Sequence, residues 1–219
     1  MNTVFKYNLF DLDGTLTDPA PGITSSVMYA LERSGLAVPP REELYRYIGP
    51  PLVFSFKEYA GMDEEAAVRA LGFYRERFSA GGLFENEIYP GIAELLEKLK
   101  RGGGKVILAT GKPEEFAVMI LEHFGILKYF DFVAGNTLDE KRPEKRDVFN
   151  HIISVFPDIG PDNTVMVGDR CYDILAAKEF SVRSVGVLFG FGSEEELKES
   201  GADMLAASAA ELERLLIRE

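Results

Sequence analysis

Two aspartates stand two positions apart in Asp11-Leu12-Asp13-Gly14-Thr15, directly after the apolar run Tyr7 to Phe10. Residues i and i+2 of a strand point to the same side, so acids placed where a buried strand ends can project into one site. Gly14 and Thr15 can turn the backbone and offer N–H and hydroxyl donors. Such a set can hold a dianionic phosphate and a divalent cation together, although an Asp-Gly turn with solvated acids uses the same residues. A second acidic stretch bears on the choice. Thr164 to Val167 reads as another buried strand and runs into Gly168-Asp169-Arg170-Cys171-Tyr172-Asp173. Two hard carboxylate clusters at strand ends suit Mg²⁺, which takes oxygen ligands and needs only one or two carboxylates plus substrate phosphate. Between them, Val106 to Ala109 leads to Thr110-Gly111-Lys112, adding a hydroxyl, amides and a cation. Lys141-Arg142-Pro143-Glu144-Lys145-Arg146 then supplies a basic cluster ahead of an amphipathic segment.

In order, Asp11-x-Asp13-Gly14-Thr15, Thr110, Lys145 and Gly168-Asp169-x-x-x-Asp173 resemble the four motifs of the haloacid dehalogenase superfamily, over essentially the whole chain. Tyr47-Ile48-Gly49-Pro50-Pro51-Leu52, Tyr74-Arg75-Glu76-Arg77-Phe78 and Tyr89-Pro90-Gly91-Ile92 resemble its phosphoglycolate phosphatase-like and 5′-nucleotidase-like branch. The resemblance implies a Mg²⁺-dependent phosphatase acting on a small phosphorylated metabolite, phosphoglycolate-like or a nucleoside monophosphate, through an aspartyl-phosphate. It implies Asp11 as nucleophile and Asp13 as general acid and then base. Gly14, Thr15, Thr110, Gly111 and Lys145 would bind the phosphate, and Asp11, Asp13 through its carbonyl, Asp169 and Asp173 would serve the metal. Lys141 is the alternative to Lys145. Lys112 is either a phosphate-side cation or a solvated loop charge. Arg46, Gly49, Pro50 and Arg75 are candidates for substrate specificity, with ordinary salt bridges the competing reading for the arginines. Asp13 favours phosphoryl transfer over dehalogenation, because a halide leaving group needs no proton. A sugar-phosphate mutase shares the whole machinery, and a phosphate-binding regulator without turnover is a third reading.

The elements that must position these residues alternate. Ile92, Leu95, Leu96 and Leu99 share a helical face, with Pro90 expected at the first helical position and Gly102-Gly103-Gly104 as the stop. Strands are expected over 105–109, 130–134, 164–167 and 184–188. Helices are expected over 114–124, around Val148, Ile152 and Val155, over 173–179, and around Leu212, Leu215 and Leu216. Phe116, Ile120 and Phe124 are in register on the helix of 114–124, and Ser193 with Glu196 forms a capping-box pattern. Such alternation implies an α/β fold, a Rossmann-like parallel sheet covered by helices. Residues 18–86 break it: Ile23, Val27 and Leu31 fit one helix, and Ala67, Leu71, Tyr74 and Phe78 another. The expected organisation is a catalytic core of 1–17 and 87–219 with a small inserted α-helical cap of 18–86.

The chain has 219 residues, 46% of them hydrophobic, enough for a real core. A formal net charge of -12 argues against a nucleic-acid polymer as partner. One cysteine, Cys171, permits no internal disulfide. The two histidines, His123 and His151, fall in expected helices and give no basis for a histidine triad or zinc site. No apolar run approaches the roughly 18 residues of a membrane span, and no signal peptide pattern is present. A cytoplasmic protein, monomer or homodimer, with no membrane partner is the expectation.

Overall fold

The computed structural model describes residues 2–218. Its contacts divide the chain into two compact units, one running to Thr17 and resuming at Ile88, the other Asp18–Glu87.

The first unit is built on a six-stranded, wholly parallel sheet. Strands β1 (Asn2–Thr3) and β2 (Tyr7–Phe10) come first, and the two-residue strands β3 (Thr17–Asp18) and β4 (Glu87–Ile88) carry the chain between the units. Then follow β5 (Lys105–Pro113), β6 (Phe132–Asn136), β7 (Thr164–Gly168), β8 (Arg183–Val187) and β9 (Met204–Ala206). The sheet order is β6-β5-β2-β7-β8-β9. All four residues of β2 are buried, as a central parallel strand covered on both faces requires. Its apolar run therefore does not alternate. From β2 the chain proceeds outward through β5 to β6, then returns to β2's other side at β7. This reversal leaves a crevice beyond the carboxyl ends of β5, β2 and β7, the place where open α/β sheets bind ligands.

Five helices cover the sheet between these strands: α4 (Ile92–Arg101), α5 (Glu114–His123), α6 (Lys145–Val155), α7 (Cys171–Glu179) and α8 (Glu194–Ser200). Helix α9 (Ala209–Leu216) ends the fold and leads into β10 (Ile217–Arg218), which pairs antiparallel with β1. Val148, Phe149 and Ile152 of α6 and Ala176 and Ala177 of α7 pack with Tyr7, Leu9, Ile107 and Met166 in one core. In the second unit α1 (Ala20–Arg33) buries Ile23, Val27 and Leu31, and α3 (Glu64–Ala80) buries Ala67, Leu71, Tyr74 and Phe78. Between them lie a 3-10 turn, Arg41–Tyr47, and α2 (Leu52–Ala60). Among the described residues no helix is long and apolar enough to cross a membrane.

Several local expectations are corrected. Pro90 lies outside α4, because Gly91 takes a left-handed conformation (φ 85°) as the N-cap and the helix starts at Ile92. Helix α5 buries Ala117, Ile120 and Leu121 rather than Phe116 and Phe124, and Val155 at the end of α6 is 45% exposed. Ser193 caps α8 by accepting from the Glu196 N–H, but the Glu196 carboxylate does not close the box. It reaches instead to Arg170 Nε (2.9 Å) and the Cys171 N–H (2.8 Å) at the start of α7.

A recurrent device fixes the amino-terminal edge of the sheet. Asp131, just before β6, accepts from the Val106 N–H of β5 (2.9 Å) and from Lys100 (2.6 Å) and Lys105 (3.0 Å). Asp203, just before β9, accepts from the Ser184 N–H of β8 (2.9 Å) and from Arg183. Burial alone would raise both carboxyls, but these donors outweigh it and hold both below the ordinary carboxylate value. A depressed folded pKa means the unfolded chain binds protons first. The stability from this pair is complete above roughly pH 4 and drains as pH falls through the lower folded values. Asp131→Ala orphans the Val106 N–H and is expected to cost about 2 kcal/mol in urea denaturation at neutral pH. Its deficit against wild type should shrink in acid; a deficit independent of pH would refute the ionised clamp.

Candidate active site

The ladder of β2 continues one residue past the strand, with the Asp11 N–H donating to the Val167 carbonyl of β7 (2.9 Å). The chain then coils on itself: the N–H groups of Thr15 and Leu16 donate to the Leu12 carbonyl, and the Gly14 N–H to Thr17. Gly14 adopts φ 81°, and a Cβ there would lie 2.1 Å from Asp169 Oδ2. Both the backbone conformation and the close approach of the second acid demand glycine. At the end of β7 the same constraint recurs, since a Cβ on Gly168 would lie 2.2 Å from Asp173 Oδ2. Asp173 sits in the first turn of α7 and accepts from the Arg170 N–H (3.3 Å).

On the other side of β2, strand β5 runs past Ala109 to Pro113, with a register shift against β6 between those residues. Thr110-Gly111-Lys112 is therefore irregular strand rather than a loop beyond one, and such a bulge re-aims side chains. Thr110 Oγ1 accepts from the Lys112 N–H (3.2 Å). The Lys112 ammonium meets both Asp13 oxygens, at 2.6 and 2.9 Å, with side chains only 6% and 13% exposed. The solvated-charge reading of Lys112 is overturned.

Lys145 is the first residue of α6, not a loop residue ahead of it. Glu144 and Asp147 cap that helix reciprocally. A cation at a helix N-terminus opposes the helix dipole, so something else must hold Lys145. Its Nζ lies 2.8 Å from Asp11 Oδ1, 2.8 Å from the Ala109 carbonyl and 2.7 Å from Asp173 Oδ1. Lys141 is 77% exposed and pairs with Asp139. Asn136 Oδ1 ties the intervening loop through the N–H groups of Thr137 and Arg142.

Asp11, Asp169 and Asp173 are all buried, and one oxygen of each falls within a mutual 4.8 Å. Burial, then the charges of Asp173 and Asp11, push Asp169 well above its ordinary value, although the Phe191 N–H donates to it (2.8 Å). Burial also raises Asp173, to about 6, against the pull of Lys145. Burial disfavours the Lys145 charge, yet Asp11 and Asp173 outweigh it and raise its pKa. Burial raises Asp13 as well, opposed by Lys112. Asp173 Oδ1 is buried, with the Lys145 ammonium 2.7 Å away. Three buried carboxylates against one ammonium are a donor set that fits a hard divalent cation.

The structure thus brings together Asp11, Lys145, Asp169 and Asp173, with Asp13, Gly14 and Thr15 alongside; Thr15 Oγ1 is 3.5 Å from Asp169 Oδ1. Thr110 is buried and Gly111 exposed on β5. Arg46, Gly49, Pro50 and Arg75 belong to the other unit, where the Arg46 guanidinium lies over the Tyr59 ring at 4.7 Å. Burial pushes the Cys171 thiol up to about 11. Sequence reasoning missed the Gly190-Phe191-Gly192 loop after β8. A Cβ on Gly190 would lie 2.4 Å from Asp169 Cβ, and one on Gly192 1.9 Å from its carbonyl oxygen. The paired glycines around Phe191 were the available signal.

The haloacid dehalogenase-like hydrolase family matches residues 8–187. A 5′-nucleotidase of Pseudomonas aeruginosa is 42% identical over 208 residues, covering 95% of this chain and 94% of its own. The tyrosine-protein kinase PtkA of Mycobacterium tuberculosis is 36% identical over 201 residues, covering 92% of this chain and 68% of its own. A crystal structure of a predicted phosphatase from Clostridium acetobutylicum superposes with a TM-score of 0.93 at 45% identity, covering 96% and 97% of the two chains. With its parallel sheet, its acids beyond the adjacent ends of β2 and β7 and this match over most of its length, the chain belongs to the haloacid dehalogenase-like hydrolases.

Proposed function

We propose that the protein is a Mg²⁺-dependent phosphatase that hydrolyses a small phosphoric monoester through an aspartyl-phosphate on Asp11. The observation that carries this reading is the division of two neighbouring aspartates between two cations. Asp11 is bonded to Lys145, and Asp13 to Lys112. Carboxylates in separate environments can take separate roles in one reaction.

In the first step an Asp11 oxygen bonds to phosphorus as the bond to the ester oxygen breaks. The departing oxygen takes a proton from Asp13. In the second, Asp13 removes a proton from water, whose oxygen bonds to phosphorus while the bond to Asp11 breaks, giving inorganic phosphate. Asp11 can attack directly, because a carboxylate is itself a nucleophile in aspartyl-phosphate chemistry. Lys145 orients Asp11 and offsets charge on the phosphoryl oxygens. Asp11, Asp169, Asp173 and the Asp13 carbonyl would hold Mg²⁺. Bound there, the ion supplies Lewis-acid charge against the repulsion between an anionic nucleophile and an anionic ester. Gly14, Thr15, Thr110 and Gly111 offer donors to the phosphate. Residues 1–17 and 87–219 act as the catalytic core, and residues 18–86 as a cap whose Arg46, Gly49, Pro50 and Arg75 govern substrate choice. The name of the 5′-nucleotidase relative favours a nucleoside monophosphate over phosphoglycolate as substrate.

The reading is tested by phosphate release from nucleoside monophosphates, phosphoglycolate and sugar phosphates, with Mg²⁺ and with chelator. Release is expected with Mg²⁺, fastest for a nucleoside monophosphate, and should fall about 10³-fold or more in Asp11→Asn. No release from any compound with Mg²⁺ present would reject the phosphatase reading. Metal binding has its own readout. Saturating Mg²⁺ should raise the melting temperature, by the equivalent of about 2.7 kcal/mol at a hundredfold excess over Kd. Asp169→Asn should abolish that rise; an unchanged rise would place the ion elsewhere. Gly14→Ala, whose Cβ would overlap Asp169 Oδ2, should weaken Mg²⁺ binding at least tenfold, measured by the same titration.

A further inference from the structure

The geometry points to Lys112 as a positioning residue that acts through Asp13, holding that carboxylate where it meets the leaving-group oxygen. This inference rests on the phosphatase reading and adds a residue to it. Lys112 Nζ meets both Asp13 oxygens, at 2.6 and 2.9 Å. Two contacts from one ammonium fix the carboxylate's rotation as well as its place. The pair is nearly buried, and a buried ion pair is costly to form and costlier to break from one side.

The lysine is itself held at three points. Its N–H donates to Thr110 Oγ1 at 3.2 Å. The β5 irregularity between Ala109 and Pro113 turns this stretch out of regular register. Gly135 on β6 packs so closely that a Cβ there would lie 2.5 Å from the Lys112 carbonyl oxygen. A solvated loop lysine would need none of these. Lys145 takes the Asp11 and Asp173 oxygens and the Ala109 carbonyl, so the two ammonium groups serve different carboxylates.

The general acid matters in proportion to how badly the leaving group needs a proton. An alkoxide leaving from a nucleoside monophosphate or phosphoglycolate needs one; p-nitrophenolate does not. A lysine that touches the phosphoryl group would serve both esters equally. A lysine that acts through Asp13 would serve the alkyl ester alone. The experiment compares kcat/KM for an alkyl phosphate and for p-nitrophenyl phosphate, with Mg²⁺, in wild type, Lys112→Met, Asp13→Asn and the double variant. This constant reports steps up to phosphoryl transfer, and the ratio between two substrates is unaffected by any inactive fraction.

Lys112→Met should lower the alkyl value about 10- to 100-fold and the p-nitrophenyl value by less than about threefold. In the Asp13→Asn background the same substitution should no longer change the ratio. Parallel losses on both substrates, or a ratio change that persists without Asp13, would overturn the proposal and make Lys112 a phosphate contact or a structural residue. Wild type inactive on both compounds would reject the phosphatase reading, and this inference with it.

Discussion

Mutual repulsion among buried carboxylates is the constraint from which the rest of the first unit follows. Asp11, Asp169 and Asp173 meet within 4.8 Å, with Lys145 as the ammonium among them. Taking each charge out of water costs several kcal/mol even after relaxation, so no such cluster assembles unless the backbone leaves it no other place. Strand pairing supplies that compulsion. The β2–β5 and β2–β7 ladders set the three strand ends side by side. Glycine supplies the room: at Gly14, Gly168, Gly190 and Gly192 any side chain would overlap an acid or its backbone. Those positions cannot be relieved by a small shift, because each overlap is with a group that is itself fixed.

The same residue type does opposite work at the sheet's two edges. At the amino-terminal edge, Asp131 and Asp203 accept from strand N–H groups and nearby cations, which outweigh burial and keep them ionised at little cost. At the carboxyl edge burial dominates, and Asp169 and Asp173 are pushed upward. One edge pins the strands, and the other holds charge that the folded state tolerates rather than welcomes. Perturbed acids gathered in a crevice mark a functional site more often than a structural one. Here the asymmetry also explains why the pinning acids are needed: the sheet must be stable enough elsewhere to carry an edge that is not.

The centre of the sheet was legible because β2, β5 and β7 are apolar runs that each deliver a polar motif at the carboxyl end, and the helices carry apolar residues at helical spacing. Elements with weaker patterns were not. β9 has only three residues, and α2 follows two prolines with Phe54 exposed and Phe56 buried, so its sequence reads as a loop with aromatics. Pro90 misled because Gly91 behind it adopts φ 85°, a backbone choice that glycine allows and does not announce. Glu196 carried the capping-box spacing but found a better use for its carboxylate at Arg170 and the Cys171 N–H, where tertiary contact outbid local geometry.

Where each lysine points was the least legible feature, for a definite reason. Lys112, Lys141 and Lys145 all sit near the end of a strand or the start of a helix, and sequence gives no sign of side-chain direction there. Lys145 is turned inward by the start of α6, which the Glu144–Asp147 cap fixes one residue before it. Lys112 is turned toward Asp13 by a register shift that exists because Gly135 lets two strands approach. Lys141, tied into the surface turn by its N–H to Thr137 Oγ1, is left outside with Asp139. Which lysines reach the acids therefore depends on a cap and a glycine, neither of which touches the acids. Lys145 reaches Asp11 and Asp173 while Lys112 reaches Asp13, so Asp11 and Asp13 keep different company despite standing two residues apart.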